Sequence, residues 1–313
     1  MARPDPTYLA YRAGSAVSRA LPARAVPAAA DVAGRVASRV LPSRRLIVER
    51  NLRRVHGDDL DGAALARAVD GTFSSYAHYW LESFRLPGSD PDLLDEKMTV
   101  VGLEHVQAGL DAGTGSILAL PHLGAWEWAA FWLTEVKGMD VSVVVEPIEP
   151  PELADWFVGL REALGMEVIT LGPHAGAACS KALKQNRVLA LLCDRDLGGG
   201  GIPVDLLGEA TTLPGGPATL ALRTGAPLIP AIVTFDIDGG HLGQADPPLD
   251  TTRTGSLRQD VARVTQDLAH ALERLIRRAP DQWHLLQPNW PSDHAALAAA
   301  GLAPPPEPSS PDT

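Results

Sequence analysis

The chain has 313 residues, 45% of them hydrophobic, and a formal net charge of −11 at pH 7. This length and apolar content exclude a chain that is disordered throughout and predict a globular protein with a sizeable core. The acidic balance argues against a nucleic-acid-binding protein, because phosphate backbones favour a basic surface.

The N-terminal residues differ in charge from the rest of the chain. Residues 1–56 contain eleven Arg and three acidic residues, a net charge of +8, whereas residues 57–313 have a net charge of −19. An Arg-rich segment on an acidic body indicates an anionic partner, most simply the cytoplasmic face of a membrane. No apolar run reaches the ~20 residues of a transmembrane helix, and Arg residues interrupt any signal-peptide core. We therefore expect a peripheral protein on the cytoplasmic face of the cell membrane.

Two amphipathic helices are predicted at the start of the chain, over residues 8–21 and from about residue 27 to residue 40. In each helix, apolar residues recur at every fourth position and Arg residues share the opposite side. The apolar positions are Leu9, Ala13, Val17, Leu21, Val32, Val36 and Val40. Such helices can insert shallowly into a bilayer surface or pack against their own protein, and the pattern alone leaves both open.

Two further helices, over residues 44–54 and 63–84, precede a turn cluster at residues 86–91. The second of them has an aromatic stripe, which we interpret as core packing. We predict an N-terminal, membrane-associating helical region over residues 1–86 and an α/β core over residues 87–298. The Pro-rich residues 299–313 are predicted to form a disordered tail.

From residue 98 onward, short apolar runs alternate with helical patterns. Strands are predicted at residues 98–101, 116–120, 141–145, 167–171, 188–193, 202–206, 228–233 and, as a last strand, 283–286. Helices are predicted near residues 104–112, after Gly124, and at residues 151–164, 175–184, 215–223 and 257–278. This alternation predicts an α/β fold with a mainly parallel central sheet flanked by helices.

The stretch Ser116–Phe131 contains the first candidate for chemistry. Its buried strand ends at Pro121 and a helical spacing begins after Gly124, so His122 lies at a strand end, where open α/β sheets place their sites. Imidazole, with an unperturbed pKa of about 6.5, suits a general base near neutral pH. Glu127 would lie about 140° from His122 on one helix, so the two can meet only if His122 is in the loop.

A second buried strand ends in the charged residues Asp194, Arg195 and Asp196, before glycines at residues 198–201. Parallel strands end at the same rim of a sheet, so Asp194 and His122 are candidate neighbours. An acid beside a His orients the ring and stabilises its protonated form. The alternative is an Asp–Arg ion pair that closes a turn, and it can hold for Arg195 and Asp196 while Asp194 is functional.

A third segment, residues 207–218, contains a candidate helix start. Thr212 or a neighbour is predicted to cap a helix that begins at Pro214. The free backbone N–H groups of such a helix suit a phosphate or a developing oxyanion, and an ordinary capped helix is the equal alternative.

The spacing His122-x4-Glu127 resembles the His-x4-Asp/Glu signature of the glycerolipid and lipid A acyltransferase superfamily. Further blocks are similar in order and spacing to the HtrB-like acyltransferases of lipid A assembly and, more closely, to the mycobacterial and actinobacterial phosphatidylinositol mannoside acyltransferases. These blocks are Leu120–Glu127, Glu146, Arg161–Val168, Leu192–Leu197, Val204–Thr211 and Asp281–Trp290. The resemblance extends from about residue 8 to residue 292, and the last block is among its more specific parts.

The resemblance implies a glycerolipid acyltransferase-like fold and transfer of a long acyl chain, such as palmitoyl, from acyl-CoA to a mannose hydroxyl of a phosphatidylinositol mannoside. His122 would be the general base, with Asp194 or Glu127 as its acid partner. The residues expected to hold substrate are Glu146, Arg161 and Arg195. Acyl-CoA would be a co-substrate with no bound cofactor, and no metal is implied, because the spacing differs from the zinc motif His-Glu-x-x-His.

Two other functions are compatible with the same residues. One is an acyltransferase of this fold that acts on another lysophospholipid or glycolipid, which a panel of acceptors would distinguish. The other is a non-catalytic lipid-binding protein, which would bind vesicles without turnover that depends on His122. A hydrolase is less favoured, because the chain has no G-x-S-x-G nucleophile elbow.

Overall fold

The structure is a computed structural model that describes residues 5–236 and 238–305. Four helices come first: α1 (Pro6–Ala20), α2 (Val26–Val40), α3 (Pro42–His56) and α4 (Gly62–Ser83). The later helices are α5 (Pro91–Glu96), α6 (Leu103–Asp111), α7 (Trp126–Glu135), α8 (Pro151–Glu162), α9 (Ala175–Lys184), α10 (Gly216–Thr224), α11 (Leu257–Ile276) and α12 (Pro291–Ala299). Of the helices in this described part of the chain, none has the length and apolar content to cross a membrane.

Seven strands form one sheet, and two more form a separate hairpin. The strands are β1 (Met98–Val101), β2 (Ser116–Leu120), β3 (Val141–Val145), β4 (Glu167–Thr170), β5 (Val188–Leu192), β6 (Ile202–Leu206), β7 (Glu209–Leu213), β8 (Leu228–Phe235) and β9 (His241–Ala245). The sheet has the order β1-β9-β8-β2-β5-β3-β4, and each neighbouring pair is parallel except β8 and β9. The predicted α/β fold with a mainly parallel central sheet is confirmed.

The centre of the sheet sets the position of the candidate site. Strands β2 and β5 pair in parallel register, with Leu120 opposite Leu192. The chain therefore leaves both strands at the same rim, and the residues that follow them emerge side by side. Both faces of the sheet are covered by buried apolar side chains, with α9, α10 and α11 on one face and α7 on the other.

Helix α2 packs against α4 through its smallest residues. Ala30, Gly34 and Ser38 are buried, and a Cβ atom added to Gly34 would lie 2.4 Å from the backbone of Ser74. Only Gly allows this close approach of the two helices. The valine stripe of α2 consequently faces away from the protein: Val32, Val36 and Val40 are 66%, 54% and 65% exposed.

Helix α1 has the same inverted arrangement. Ser15 and Ser18 are buried, and the Ser18 hydroxyl donates to the Leu81 carbonyl at 2.5 Å. Leu9 and Val17, on the apolar stripe, are 49% and 59% exposed. Both helices therefore pack against their own protein, but not through the apolar stripes. Small residues of α2, and Ser18 and Tyr11 of α1, make the contacts with α4.

The structure differs from the predicted elements at several places, and the short helices α5 and α12 were not predicted. Residues 283–286 form no strand, because their segment crosses the strand ends and makes one isolated bridge, Leu123 with Trp283. Strands β7 and β9 were not predicted, and the β9 sequence His-Leu-Gly-Gln-Ala has no β-branched residue that would indicate a strand. The division at residue 86 stays a prediction, and residues 306–313 of the predicted tail lie outside the described residues.

Candidate active site

His122 lies in the loop between β2 and α7, and backbone hydrogen bonds hold this loop on two sides. The Gly124 N–H donates to the Gln282 carbonyl at 2.9 Å, and the Ala125 N–H donates to the Val233 carbonyl at 2.8 Å. Gly124 has φ +65°, and a Cβ atom there would lie 1.9 Å from the Val233 oxygen. A residue other than Gly would displace the loop, so this glycine fixes the position of His122.

Asp194 follows β5 and contacts His122 directly. His122 Nδ1 lies 2.6 Å from Asp194 Oδ1, and the His122 backbone N–H donates to Oδ2 at 3.0 Å. The His122 side chain is 20% exposed, whereas that of Asp194 is fully buried. A neutral ring that donates Nδ1–H to the carboxylate presents Nε2, on the opposite side, as a proton acceptor.

The Asp194 carboxyl is held in its ionised form. Burial by itself raises the pKa of this group, but the facing His122 ring, the Trp283 indole and the His122 backbone N–H lower it more, so the pKa lies below its usual value. A buried carboxylate beside an imidazole is a fixed negative charge that stabilises the protonated ring.

The segment over residues 282–293, here called the C-terminal strap, crosses the ends of the central strands. Its His284 backbone N–H donates to the His122 carbonyl at 2.6 Å. Trp283 Nε1–H donates to Asp194 Oδ2 at 2.8 Å, and Asn289 Nδ2 donates to the Asp194 carbonyl at 2.9 Å. The strap therefore contacts both residues of the pair.

Glu127 does not reach His122. Its carboxylate, on α7, accepts two hydrogen bonds from the Arg161 guanidinium, one of them from Nε at 3.0 Å, and one from the Tyr79 hydroxyl at 3.4 Å. Burial alone lowers the pKa of Arg161, but the adjacent Glu127 raises it overall, so the guanidinium stays charged. Of the two acids considered as partners of His122, the structure brings Asp194 to the ring and Glu127 to Arg161.

Glu146 and Arg195 form a second ion pair at the same rim, after β3 and β5. One Arg195 terminal nitrogen lies 2.8 Å from both Glu146 carboxylate oxygens. The Arg195 side chain is 7% exposed and that of Glu146 25% exposed, so the carboxylate is the part open to solvent.

Asp196 closes the glycine turn after Arg195, and it forms no ion pair within the part of the chain that the structure describes. Asp196 accepts backbone N–H groups from Gly198 at 3.2 Å and Gly201 at 2.7 Å, and the Thr212 hydroxyl at 2.9 Å. The prediction of Thr212 as a helix cap is wrong, because Thr212 lies in β7, while α10 begins after Gly215 with no side-chain cap.

An apolar groove lies between the sheet and α7, with a volume of about 580 Å³ that includes its open part. Its walls are apolar side chains of β2, β3, β5 and α7, and its charged lining residues among those described are Glu127 and Arg161. Trp126 also lines it, and the Trp126 ring stands edge-on to the His122 ring at 5.9 Å between centroids. Trp126 therefore lies between the groove and the imidazole.

A second imidazole, that of His284, is buried beside the first. Its Nε2 lies 2.9 Å from the Ser75 hydroxyl of α4, and Nδ1 has no hydrogen-bond partner among the described residues. Burial, with a smaller contribution from His122, lowers the pKa of His284 to about 3, so the ring is neutral near neutral pH. The apolar surroundings are aromatic, with Tyr76 at 5.2 Å and Trp126 at 5.7 Å between ring centroids.

The pattern of the sequence did not single out the strap residues Trp283, His284 and Asn289. Only the resemblance included them, as part of a block to which no role was given. One feature of the sequence could have indicated them. An indole and an imidazole lie in the short segment predicted as a last strand, and the polar atoms of such rings need partners when they are buried. Within residues 5–236 and 238–305, no group of three or more His, Cys, Asp or Glu side chains could hold a metal ion.

Known proteins resemble this chain over nearly its whole length. Residues 5–292 match the sequence model of the family described as bacterial lipid A biosynthesis acyltransferase. The chain is 39% identical over 297 residues to the phosphatidylinositol mannoside acyltransferase of Mycolicibacterium smegmatis, with 92% of each chain covered. Relatives of the same name from two strains of Mycobacterium tuberculosis are 39% identical over 302 and 301 residues, covering 95% of this chain and 92% of each relative.

The buried His284 predicts a specific pH dependence of stability. Its pKa is about 3 in the folded protein against an ordinary 6.5, so the unfolded chain binds more protons between these values. The free energy of unfolding therefore falls as the pH falls through this window, by about 2 kcal/mol between pH 7 and pH 5. We expect this loss to be absent in His284→Gln, as measured by denaturant unfolding at each pH. The matched control is His174→Gln, at an exposed site, and an unchanged pH dependence in His284→Gln would contradict the prediction.

Proposed function

The chain belongs to the bacterial lipid A biosynthesis acyltransferase family, and we propose that it transfers a long fatty acyl group, palmitoyl first of all, from acyl-CoA to a mannose hydroxyl of a phosphatidylinositol mannoside. An O-acyltransferase activity follows from the family. The acceptor is proposed from the names of the relatives. The observation that carries the proposal is the 2.6 Å contact of His122 with Asp194 beside an apolar groove.

In the proposed reaction, His122 Nε2 takes the proton of the acceptor hydroxyl as the hydroxyl oxygen bonds to the acyl carbon. The carbon–sulfur bond of the thioester then breaks, and the sulfur leaves with its electron pair. The protonated ring returns its proton to that sulfur. The products are the ester and CoA as a thiol, and the ring is neutral again.

The position of Asp194 supports this role of His122. Positive charge develops on the ring 2.6 Å from a carboxylate that is shielded from water, where an electrostatic interaction is stronger than in solvent. The carboxylate is in place before the reaction, so no reorganisation is needed when the charge forms.

The groove suits the acyl chain. Burial of each methylene of a fatty chain contributes about 0.8 kcal/mol, so an apolar wall favours long chains. The charged residues of the lining, Glu127 and Arg161, neutralise each other. We assign the mannose to the rim, where Glu146 can accept sugar hydroxyls and its partner Arg195 keeps the carboxylate in place.

The N-terminal helices suit attachment to the cytoplasmic face of a membrane. The apolar stripes of α1 and α2 face away from the protein, and Arg12, Arg24, Arg35 and Arg39 are exposed near them. Apolar side chains inserted among lipid headgroups, with Arg side chains that attract anionic lipids, give reversible binding. An acceptor lipid and an acyl chain would both be reached from that surface.

The activity itself is tested by mass spectrometry of the products formed by purified protein, palmitoyl-CoA and a mixture of mannosylated and plain phospholipids. We expect one acyl group to be added to the mannosides. His122→Ala should lower kcat by about 10²- to 10⁴-fold, the usual contribution of a general base. Unchanged turnover in a folded His122→Ala protein would refute the assignment, and acylation of plain phospholipids alone would refute the acceptor.

Membrane attachment is tested by replacing Val32, Val36 and Val40 of α2 with Ser. These side chains are mostly exposed, so folding should be unaffected, while binding to vesicles with anionic phospholipid should fall by roughly tenfold or more in a sedimentation assay. The matched control replaces the same residues with Leu, which should retain binding. Equal binding of the Ser and Leu variants would contradict insertion of this stripe.

A further inference from the structure

The C-terminal strap places one side-chain donor on the Asp194 carboxylate. Trp283 Nε1–H donates to Oδ2 at 2.8 Å, and both side chains are buried, Trp283 being 2% and Asp194 0% exposed. The same oxygen accepts the His122 backbone N–H at 3.0 Å, while Oδ1 faces His122 Nδ1 at 2.6 Å. Oδ1 of Asp194 thus contacts the imidazole ring, and Oδ2 accepts hydrogen bonds from two N–H donors.

We propose that Trp283 is a positioning residue of the reaction, whose indole N–H fixes the orientation and the available charge of Asp194 and so acts on His122 through it. The inference rests on the proposed function, because it gives Trp283 a part in the same proton transfer. It differs from a packing role, which any aromatic side chain of similar size would fill.

The Trp283 indole first restrains the orientation of the Asp194 carboxylate. A carboxylate can rotate about its Cβ–Cγ bond, and rotation would break the short contact between Oδ1 and the His122 ring. Two donors on Oδ2, one from the backbone of His122 and one from the indole, oppose this rotation. Transfer of a proton to the ring depends on such fixed geometry.

The same indole also limits the negative charge that Asp194 presents to His122. A hydrogen bond to an ionised carboxylate withdraws part of its charge from other partners. Without the indole donor, Asp194 would direct more of its negative charge to the His122 ring and hold the protonated ring more tightly. The protonated ring would then release its proton less readily. His284, the other titratable ring at this place, is neutral and stays unchanged.

The indole is itself held rigidly. The Trp290 ring packs edge-on against that of Trp283, at 6.3 Å between centroids and 88° between planes. The end of the strap is anchored to α3, because Asp293 accepts hydrogen bonds from Arg50 at 2.6 Å and Arg54 at 2.7 Å. A donor fixed in this way restrains Asp194 more than a mobile side chain would.

The test compares Trp283→Phe with Trp290→Phe. Each variant removes one indole N–H from a buried strap residue, but the Trp290 donor reaches the Glu209 carbonyl, at 3.3 Å, and not Asp194. We expect Trp283→Phe to lower kcat by about 10- to 100-fold with little change in KM, and to move the acid limb of the kcat/KM profile to higher pH. Trp290→Phe keeps an aromatic ring against Trp283 and removes no donor from Asp194, so it should leave the pH profile in place.

Two results would overturn the proposal. One is a Trp283→Phe protein with the pH profile and kcat of the unmodified protein. The other is an equal loss of activity in both variants with no shift of either acid limb, which is the behaviour of packing alone. If Trp283→Phe does not fold, the benzothiophene analogue of Trp at position 283, which has sulfur in place of N–H, keeps the shape and takes its place in the comparison.

A readout without turnover separates this inference from the proposed function. The pH at which the His122 ring signals titrate can be followed by NMR in each protein, and it should rise in Trp283→Phe and stay in place in Trp290→Phe. An unchanged titration pH of His122 in Trp283→Phe would overturn the positioning role. If the titration pH of His122 rises in Trp283→Phe while the unmodified protein shows no acyl transfer, the result supports the positioning role and refutes the proposed function.

Discussion

The burial of the Asp194 carboxylate is the constraint on which the site depends. A charge removed from water is stable only where donors replace the lost hydration. Here the donors come from two distant parts of the chain, His122 after β2 and Trp283 after α11. The parallel register of β2 and β5 places His122 beside Asp194. The path of the C-terminal strap across the strand ends places Trp283 there. The sheet and the strap therefore determine the pair together.

The N-terminal helices contribute to the site as well as to the outer surface. The Asn51 side chain of α3 donates to the Leu285 carbonyl of the strap at 2.8 Å, and Ser75 of α4 meets His284 at 2.9 Å. These contacts cross the boundary predicted at residue 86. On the opposite side, α2 binds α4 through small residues and α1 binds it through Ser18 and Tyr11. Both helices leave their apolar stripes exposed on the outer surface.

Much of this arrangement could be predicted from local patterns, and the rest depends on tertiary contacts. The uninterrupted apolar runs that end at Pro121 and before Asp194 predict two buried strands, and a shared rim follows from their parallel pairing. Helical periodicity located α1 and α2 but not their orientation, because amphipathicity does not say which face is covered; the close contact at Gly34 decides that. The strap has no regular period, so only the folded chain shows that Trp283 donates to Asp194.

We propose that Asp194, and not Glu127, is the acid that makes His122 a base. The most direct test is the kcat of acyl transfer, per folded protein, in Asp194→Asn and in Glu127→Gln. We predict a fall of about 10²- to 10⁴-fold in Asp194→Asn, because an amide cannot stabilise the protonated ring, and a much smaller change in Glu127→Gln, which alters only the contacts with Arg161 and Tyr79. Turnover near that of the unmodified protein in Asp194→Asn, with the large loss in Glu127→Gln, would contradict the account.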